Sequence, residues 1–261
     1  MYLDTTTFEN TRRCVAKCIG MEPDALSLKL TAIHQSPRKQ DAVFVEQKFE
    51  KLLQLHPIIK PIDKVLMFHL SRRLKSSDPF CKNLQDLLVG PSAMSRFLQQ
   101  FEISFRSESD RLHLIYQNQE LNIPTSEHLA CRFGMSDEPG DYCVNGFAFR
   151  STIENSSYYM QLRNGPEFLI ELCDFLTRPD ILEAYQANSA YFCVPYLCSI
   201  KDVFFDIGSM RSSDRSRDFI LQALKYLSLG DNPDNYENFV ISSDDHCICG
   251  KPLLEKIELL Q

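Results

Sequence analysis

The sequence predicts an α+β fold, in which a predominantly helical N-terminal part packs on a small, mostly antiparallel sheet from the C-terminal half. Apolar residues recur at helical spacing early in the chain, whereas short runs rich in β-branched and aromatic residues gather late in it. Glycine is scarce, with 9 residues in 261, so few left-handed turns and few hairpins are expected. Helices and strands segregated along a chain are typical of α+β folds rather than of doubly wound parallel sheets.

The first helices are predicted over residues 41–55 and 61–74. In 41–55 the apolar residues fall on one face, and Pro57 closes the segment. In 61–74, Pro61 takes a position that suits the first helical turn, and the apolar residues after it recur with a period of about 3.6 residues. This assignment places His69 on the apolar face of a helix.

Two more helices are predicted in the second half of the chain. The segment 166–177 begins with a proline and carries a stripe of leucine and phenylalanine side chains. The segment 214–229 has the clearest apolar stripe of all. Ser213 or Asp214 can cap its first turn, and Gly230 can end it.

Strands are predicted where apolar residues alternate with polar ones or form short runs. An alternating segment lies at 112–116, and apolar runs lie at 191–197 and 203–207. The runs 239–241 and 247–249 flank a Ser-Ser-Asp-Asp turn, which indicates a hairpin without glycine.

Length and composition set the class of protein. One domain over residues 1–261 is the preferred organisation, and a division into a helical part, 1–108, and a mixed part, 109–261, is the alternative. The sequence has no apolar window of about 18 residues and no basic and apolar leader, so neither a membrane span nor a signal peptide is expected. The predicted location is therefore cytoplasmic or nuclear. The net charge of −7 argues against general binding of nucleic acids.

Ten cysteines are present, and in a chain without a leader they are expected to be reduced and mostly buried. Cys14 and Cys18 share a helical face, and Cys247 and Cys249 share a strand face, so these four could hold zinc if the two ends of the chain met. No Cys-x-x-Cys pair supports such a site. No metal and no cofactor is therefore expected.

Cys143 is the candidate nucleophile. A helix that began near Asp141 would place Cys143 in its first turn, where the helix dipole favours the thiolate. His246 would then be the general base, and Asp245 or Glu255 would orient its ring. These roles predict a cysteine-dependent hydrolase or acyl transferase that acts on an intracellular protein or peptide-like substrate.

Gly146 is the glycine that this helix does not explain. A glycine inside a helix either bends it or lets the backbone approach a neighbour closely. The alternative interpretation of the segment is structural, with Cys143 packed as a thiol beside Phe147 and Phe149.

A non-enzymatic interaction protein is the alternative function. Aromatic residues make up 11% of the chain, and the segment 156–162 carries Tyr158 and Tyr159. Exposed aromatic side chains of this kind mark surfaces that bind protein partners. A protein partner or a protein substrate is therefore expected.

ADP-ribosyl transfer from NAD is the third hypothesis. Such enzymes use a His or Arg on an early strand, a Ser or Tyr in mid-chain, and a Glu. The matching residues are His69, Tyr159 and Glu167, with Arg132 as a weaker alternative to the histidine. The helical pattern through His69 argues against this hypothesis. The chain also has neither a Walker loop nor a Gly-x-Gly-x-x-Gly stretch, so phosphate-loop chemistry is not expected.

Overall fold

The fold is α+β, as the sequence predicts. The computed structural model describes residues 1–37, 41–77, 80, 82–109, 111–124, 128–135, 143–205, 214–230, 237–243 and 250–260. Its helices are α1 (Phe8–Cys18), α2 (Pro23–His34), α3 (Ala42–Leu55), α4 (Leu84–Leu88), α5 (Ala93–Gln99), α6 (His128–Arg132), α7 (Ser157–Asn164), α8 (Glu167–Leu176), α9 (Pro179–Asn188) and α10 (Arg215–Ser228). None of these described helices has both the length and the apolar character needed to span a membrane.

The strands form two sheets. Their bounds are β1 (Tyr2–Leu3), β2 (Lys64–Leu74), β3 (Ile103–Glu108), β4 (Arg111–Tyr116), β5 (Gln119–Leu121), β6 (Asn145–Phe147), β7 (Ser189–Ser199), β8 (Val203–Phe205), β9 (Val240–Ser243), β10 (Lys251–Pro252) and β11 (Glu258–Leu260). The larger sheet has the order β10-β7-β2-β6-β9-β8, with β1 parallel to β2 and β11 antiparallel to β7. The smaller sheet is the antiparallel meander β3-β4-β5.

The helix predicted over residues 61–74 is wrong, because this segment forms strand β2. Four consecutive buried apolar residues, Val65–Phe68, follow Lys64 at the start of the strand. A short apolar run of this kind cannot be assigned to helix or strand by its periodicity alone. The helices predicted over 41–55, 166–177 and 214–229 are confirmed by α3, α8 and α10.

The predicted strands of the second half also agree with the structure. The segments 112–116 and 191–197 fall in β4 and β7, residues 203–205 form β8, and residues 240–241 begin β9. Residues 206–207 of the predicted run 203–207 lie outside the described residues. The segment 247–249 lies outside the described residues.

The chain divides into two compact units, each built from three stretches of sequence. Unit 1 comprises Met1–Phe68, Gly146–Ser156 and Leu197–Ile241, and unit 2 comprises His69–Asn145, Ser157–Tyr196 and Ser242–Gln261.

The core of unit 1 is centred on aromatic rings. Phe149 is fully buried, and its ring stacks on Tyr226 of α10 at 4.3 Å between centroids. Phe219 and Phe239 lie against the same ring at 6.2 and 5.8 Å. Helix α10 also contacts α1, α2 and α3, so its apolar face joins the helices of this unit to the aromatic cluster.

The core of unit 2 lies between helices α4–α6, α8 and α9 and one face of the small sheet. Arg72 joins several of its elements. The guanidinium donates to Oγ of Ser189 at 2.8 Å and to the carbonyls of Arg163 and Gln186 at 3.0 and 2.9 Å. The carbonyl of Arg72 in turn accepts the hydroxyl of Tyr185 at 2.6 Å.

Within the described residues, positive φ occurs at Gly20, Gly134 and Gly230 but at more non-glycine than glycine positions, so the scarcity of glycine is a poor guide to the turns there. Positive φ occurs at five non-glycine positions among the described residues: Glu102, Ser109, Gln117, Asn118 and Thr177. Gln117 and Asn118 form the two-residue loop between β4 and β5, and positive φ at both positions is typical of a type I′ hairpin. Cross-strand pairing offsets the backbone strain at these positions.

Replacing Gln117 with asparagine is expected to raise the free energy of unfolding by about 0.5–1 kcal/mol, because asparagine tolerates positive φ better than glutamine does. Urea denaturation measures the change. Gln119→Asn is the matched control, since the same substitution within β5 puts asparagine where strands disfavour it. A gain for the control equal to that for Gln117→Asn would contradict the turn assignment.

Candidate functional site

The second half of β2 presents a polar face. His69, Ser71 and Arg73 are partly exposed, whereas Leu70 and Leu74 are buried. Because successive side chains of a strand point to opposite sides, the three polar residues lie on one face. An imidazole, a hydroxyl and a guanidinium therefore follow one another along one side of this strand.

His69 is held by a backbone carbonyl. Its Nδ1 lies 2.7 Å from the oxygen of Asn145, the first residue of β6. A carbonyl oxygen can only accept a hydrogen bond, so Nδ1 carries the proton and Nε2 of the neutral ring carries the lone pair. This tautomer is the one that a general base needs when it acts through Nε2.

Tyr196 links His69 to Arg73. The rings of His69 and Tyr196 lie 6.2 Å apart between centroids. Tyr196 is fully buried on β7, and its hydroxyl accepts a hydrogen bond from Nη2 of Arg73 at 2.8 Å. One buried tyrosine therefore contacts both basic side chains of the polar face.

Cys143 lies two residues before Asn145 and is half-buried. The expectation that it occupies the first turn of a helix is wrong, because Cys143 precedes strand β6 and has no helical backbone. A helix dipole therefore does not favour the thiolate at Cys143, and the catalytic role of this thiol stays a prediction. Two residues of chain span at most about 7 Å, so Cys143 remains near the carbonyl that holds His69.

Gly146 allows the backbone of β6 to approach β2 closely. A Cβ at this position would lie 2.5 Å from Cγ of Met67 and 2.9 Å from the carbonyl oxygen of Phe68. The structure therefore supports the explanation that a glycine at this position lets the backbone approach a neighbour closely.

No protein-family model, curated protein or solved structure matches this chain.

The remaining members of the predicted cysteine site are only partly described. His246 and Asp245 lie outside the described residues, so their roles stay predictions. Glu255 is exposed in the 3-10 turn Leu254–Lys256, and the N–H of Leu253, just before that turn, donates to the carbonyl of Pro195 at 2.9 Å. Pro195 directly precedes Tyr196, so the turn lies beside the part of β7 that contacts His69.

The three residues of the NAD hypothesis have different neighbours. His69 lies on a strand, which removes the objection that a helical pattern raised. Tyr159 is joined to β7, because its carbonyl accepts the hydroxyl of Tyr191 at 2.8 Å and the two rings lie 5.6 Å apart. Glu167, in the first turn of α8, forms an ion pair with Arg132 of α6.

Helix α7 carries the aromatic residues of the interaction hypothesis and has no buried residue. Tyr158 is 49% exposed and Met160 is 57% exposed. The binding of a partner there stays a prediction.

The described cysteines differ in environment. Cys14, Cys18, Cys131 and Cys173 are free thiols. Burial raises the pKa of Cys18 and of Cys173 to about 11, so both stay protonated at neutral pH. Cys247 and Cys249 lie outside the described residues, and within the described part of the chain no group of three or more His, Cys, Asp or Glu side chains could hold a metal.

His69 is not predicted as a general base from the sequence, because the helical pattern of residues 61–74 places it on the apolar face of a helix. The signal that could have found it is the alternation of His69, Ser71 and Arg73 directly after an apolar run, which is typical of a strand that emerges from the core.

Proposed function

We propose that the chain is a cysteine-dependent hydrolase or acyl transferase, in which Cys143 is the nucleophile and His69 is the general base. The contact between Nδ1 of His69 and the carbonyl of Asn145 supports this proposal most directly. It leaves the lone pair on Nε2, and it joins the imidazole to the segment that carries the thiol. His69 takes the role first given to His246, and the Asn145 carbonyl takes the orienting role.

The proposed reaction uses one proton carrier. Sγ of Cys143 attacks the carbonyl carbon of the substrate while its proton passes to Nε2 of His69. The imidazolium returns this proton to the leaving amine, alcohol or thiol, and a thioester remains on Cys143. Water or a second nucleophile, deprotonated by His69, then attacks the thioester and releases the thiol. The Asn145 carbonyl accepts the Nδ1 hydrogen throughout and stabilises the imidazolium.

The substrate proposed for this reaction is an acyl bond in a protein or peptide-like molecule. The half-buried position of Cys143, two residues before strand β6, suits a bond that an extended chain can present.

The rate at which iodoacetamide alkylates Cys143 tests the pair. We expect Cys143 to react faster than Cys131, which is also half-buried, because His69 removes its proton. His69→Gln is expected to slow alkylation of Cys143 by about tenfold or more and to leave Cys131 unchanged. Peptide mass spectrometry after timed labelling gives both rates.

Two buried thiols serve as internal controls for this experiment. Cys18 and Cys173 have a raised pKa and should stay unmodified while the protein is folded. Their labelling in the His69→Gln variant would report unfolding rather than loss of a base. Equal rates for Cys143 in the two folded proteins would contradict the proposed function.

ADP-ribosyl transfer is the second candidate, because His69 lies on the polar face of a strand and not in a helix. On that face, the imidazole could donate to a ribose hydroxyl, and the guanidinium of Arg73 could pair with the diphosphate of NAD. Cys143 distinguishes the candidates. NAD cleavage that survives Cys143→Ala and is lost in His69→Gln would overturn the cysteine mechanism and support the transferase.

A further inference from the structure

We propose that Gly146 is a positioning residue, which holds the carbonyl of Asn145 against His69 and thereby sets the tautomer of the imidazole. The catalytic consequence rests on the proposed function, whereas the effect on the tautomer does not. Asn145 acts through a backbone atom, so the residues that place its backbone decide where the carbonyl points.

Contacts on both sides of Asn145 fix its backbone. On one side, the N–H of Val144 donates to Oγ of Ser243 at 3.2 Å, and the N–H of Ser243 donates to the carbonyl of Val144 at 3.0 Å. On the other side, Gly146 lies against the backbone of Phe68 with no room for a Cβ. The peptide plane that carries the Asn145 carbonyl includes the nitrogen and Cα of Gly146, so movement of Gly146 turns that carbonyl directly.

An alanine at position 146 therefore has a specific consequence. Its Cβ would lie 2.9 Å from the oxygen and 3.0 Å from the carbonyl carbon of Phe68, and a backbone atom cannot be relieved by a change of rotamer. Strand β6 must shift away from β2, and the 2.7 Å contact between Asn145 and His69 is lost. The hydrogen bond that favours a proton on Nδ1 would then be gone, and the lone pair needed at Nε2 would be present in only part of the molecules.

Nuclear magnetic resonance of the imidazole nitrogens in the full chain tests this inference. In the wild-type protein we expect His69 to show a proton on Nδ1, and in Gly146→Ala we expect a mixture of the two tautomers. The matched control is Gly165→Ala, where the nearest atom is a terminal methyl of Leu182 at 3.0 Å, which can move. An unchanged tautomer in a folded Gly146→Ala protein would overturn the proposal.

A double variant distinguishes a clash of the new Cβ with the Phe68 backbone from a clash with the Met67 side chain. Adding Met67→Ala removes the atom at 2.5 Å from the new Cβ but leaves the Phe68 oxygen in place, so the tautomer should not recover. Recovery would show that Met67 alone causes the effect and would overturn the proposal. The wild-type spectrum is a second test that does not depend on the folding of Gly146→Ala. A wild-type His69 ring without a proton on Nδ1 would overturn the proposal.

The proposed function can fail separately. A change of tautomer in Gly146→Ala without a change in the alkylation rate of Cys143 would support the positioning role and count against the pair of Cys143 and His69. A parallel loss of several-fold in that rate would support both.

Discussion

Replacing Phe149 with alanine is expected to lower the free energy of unfolding by about 3–5 kcal/mol. Phe149 is fully buried, stacks on Tyr226 at 4.3 Å and meets the edge of Phe239 at 5.8 Å. Truncation removes the ring from the middle of this cluster and leaves a cavity that rigid neighbours fill poorly.

The backbone around Phe149 strengthens this expectation. Its N–H donates to Oδ1 of Asn238 at 3.2 Å, and its carbonyl accepts from Nδ2 of the same side chain at 2.6 Å. Because Asn238 holds the main chain on both sides of the residue, the backbone cannot easily collapse into the cavity.

Urea denaturation followed by circular dichroism measures the loss. Phe204→Ala is the matched control, since Phe204 lies on β8 with 52% of its surface exposed and contacts the guanidinium of Arg215. We expect this control to cost no more than about 1 kcal/mol. A loss below about 1 kcal/mol for Phe149→Ala would contradict its place in the core.

Replacing Arg72 with methionine is the second large effect, with an expected loss of about 2–4 kcal/mol in the free energy of unfolding. Methionine keeps much of the apolar stem but removes three donors. The carbonyls of Arg163 in α7 and Gln186 in α9, and the hydroxyl of Ser189 in β7, each lose a charge-assisted hydrogen bond. Arg72→Lys should recover only part of the loss, because an ammonium cannot reproduce the planar fork.

Arg106→Met is the control for Arg72→Met within unit 2. Arg106 is 53% exposed on β3, where its partners are the carboxylates of Glu108 and Glu120 at the surface. Solvent screens such pairs, so the expected change is within about 1 kcal/mol. Differential scanning calorimetry or urea denaturation gives both values. Equal losses for the two variants would show that Arg72 is only a surface charge.

Long amphipathic helices of this chain could be predicted from sequence, because their pattern needs no knowledge of the neighbours. Helix α10 buries the same apolar stripe that its sequence indicates, and Asp214 caps it through the N–H of Arg217 as expected. Strand β2 could not be predicted in the same way. Its buried run at Val65–Phe68 is equally suited to a helix, and the sheet neighbours that decide between the two come from distant parts of the sequence.

In the candidate site, too, only the features that are local in the sequence could be predicted. The sequence indicates Cys143 and the unusual position of Gly146, because a nucleophilic side chain and a rare residue type are visible in one dimension. It does not indicate which histidine contacts the segment around Cys143. The ring of His69 contacts Asn145 in this segment, although the two residues are 76 positions apart in the chain. No local pattern encodes such a pairing.

Composition and periodicity by themselves therefore determined the fold class, helices α3, α8 and α10, and the neighbourhood of Gly146, since these depend on propensity and on spacing within a segment. The tertiary structure alone decided that Lys64–Leu74 is a strand, that Gly146 packs against Phe68, and that Asn145 holds Nδ1 of His69. The physical reason is that each of these depends on two segments brought together on folding, where steric fit and hydrogen bonding override local preference.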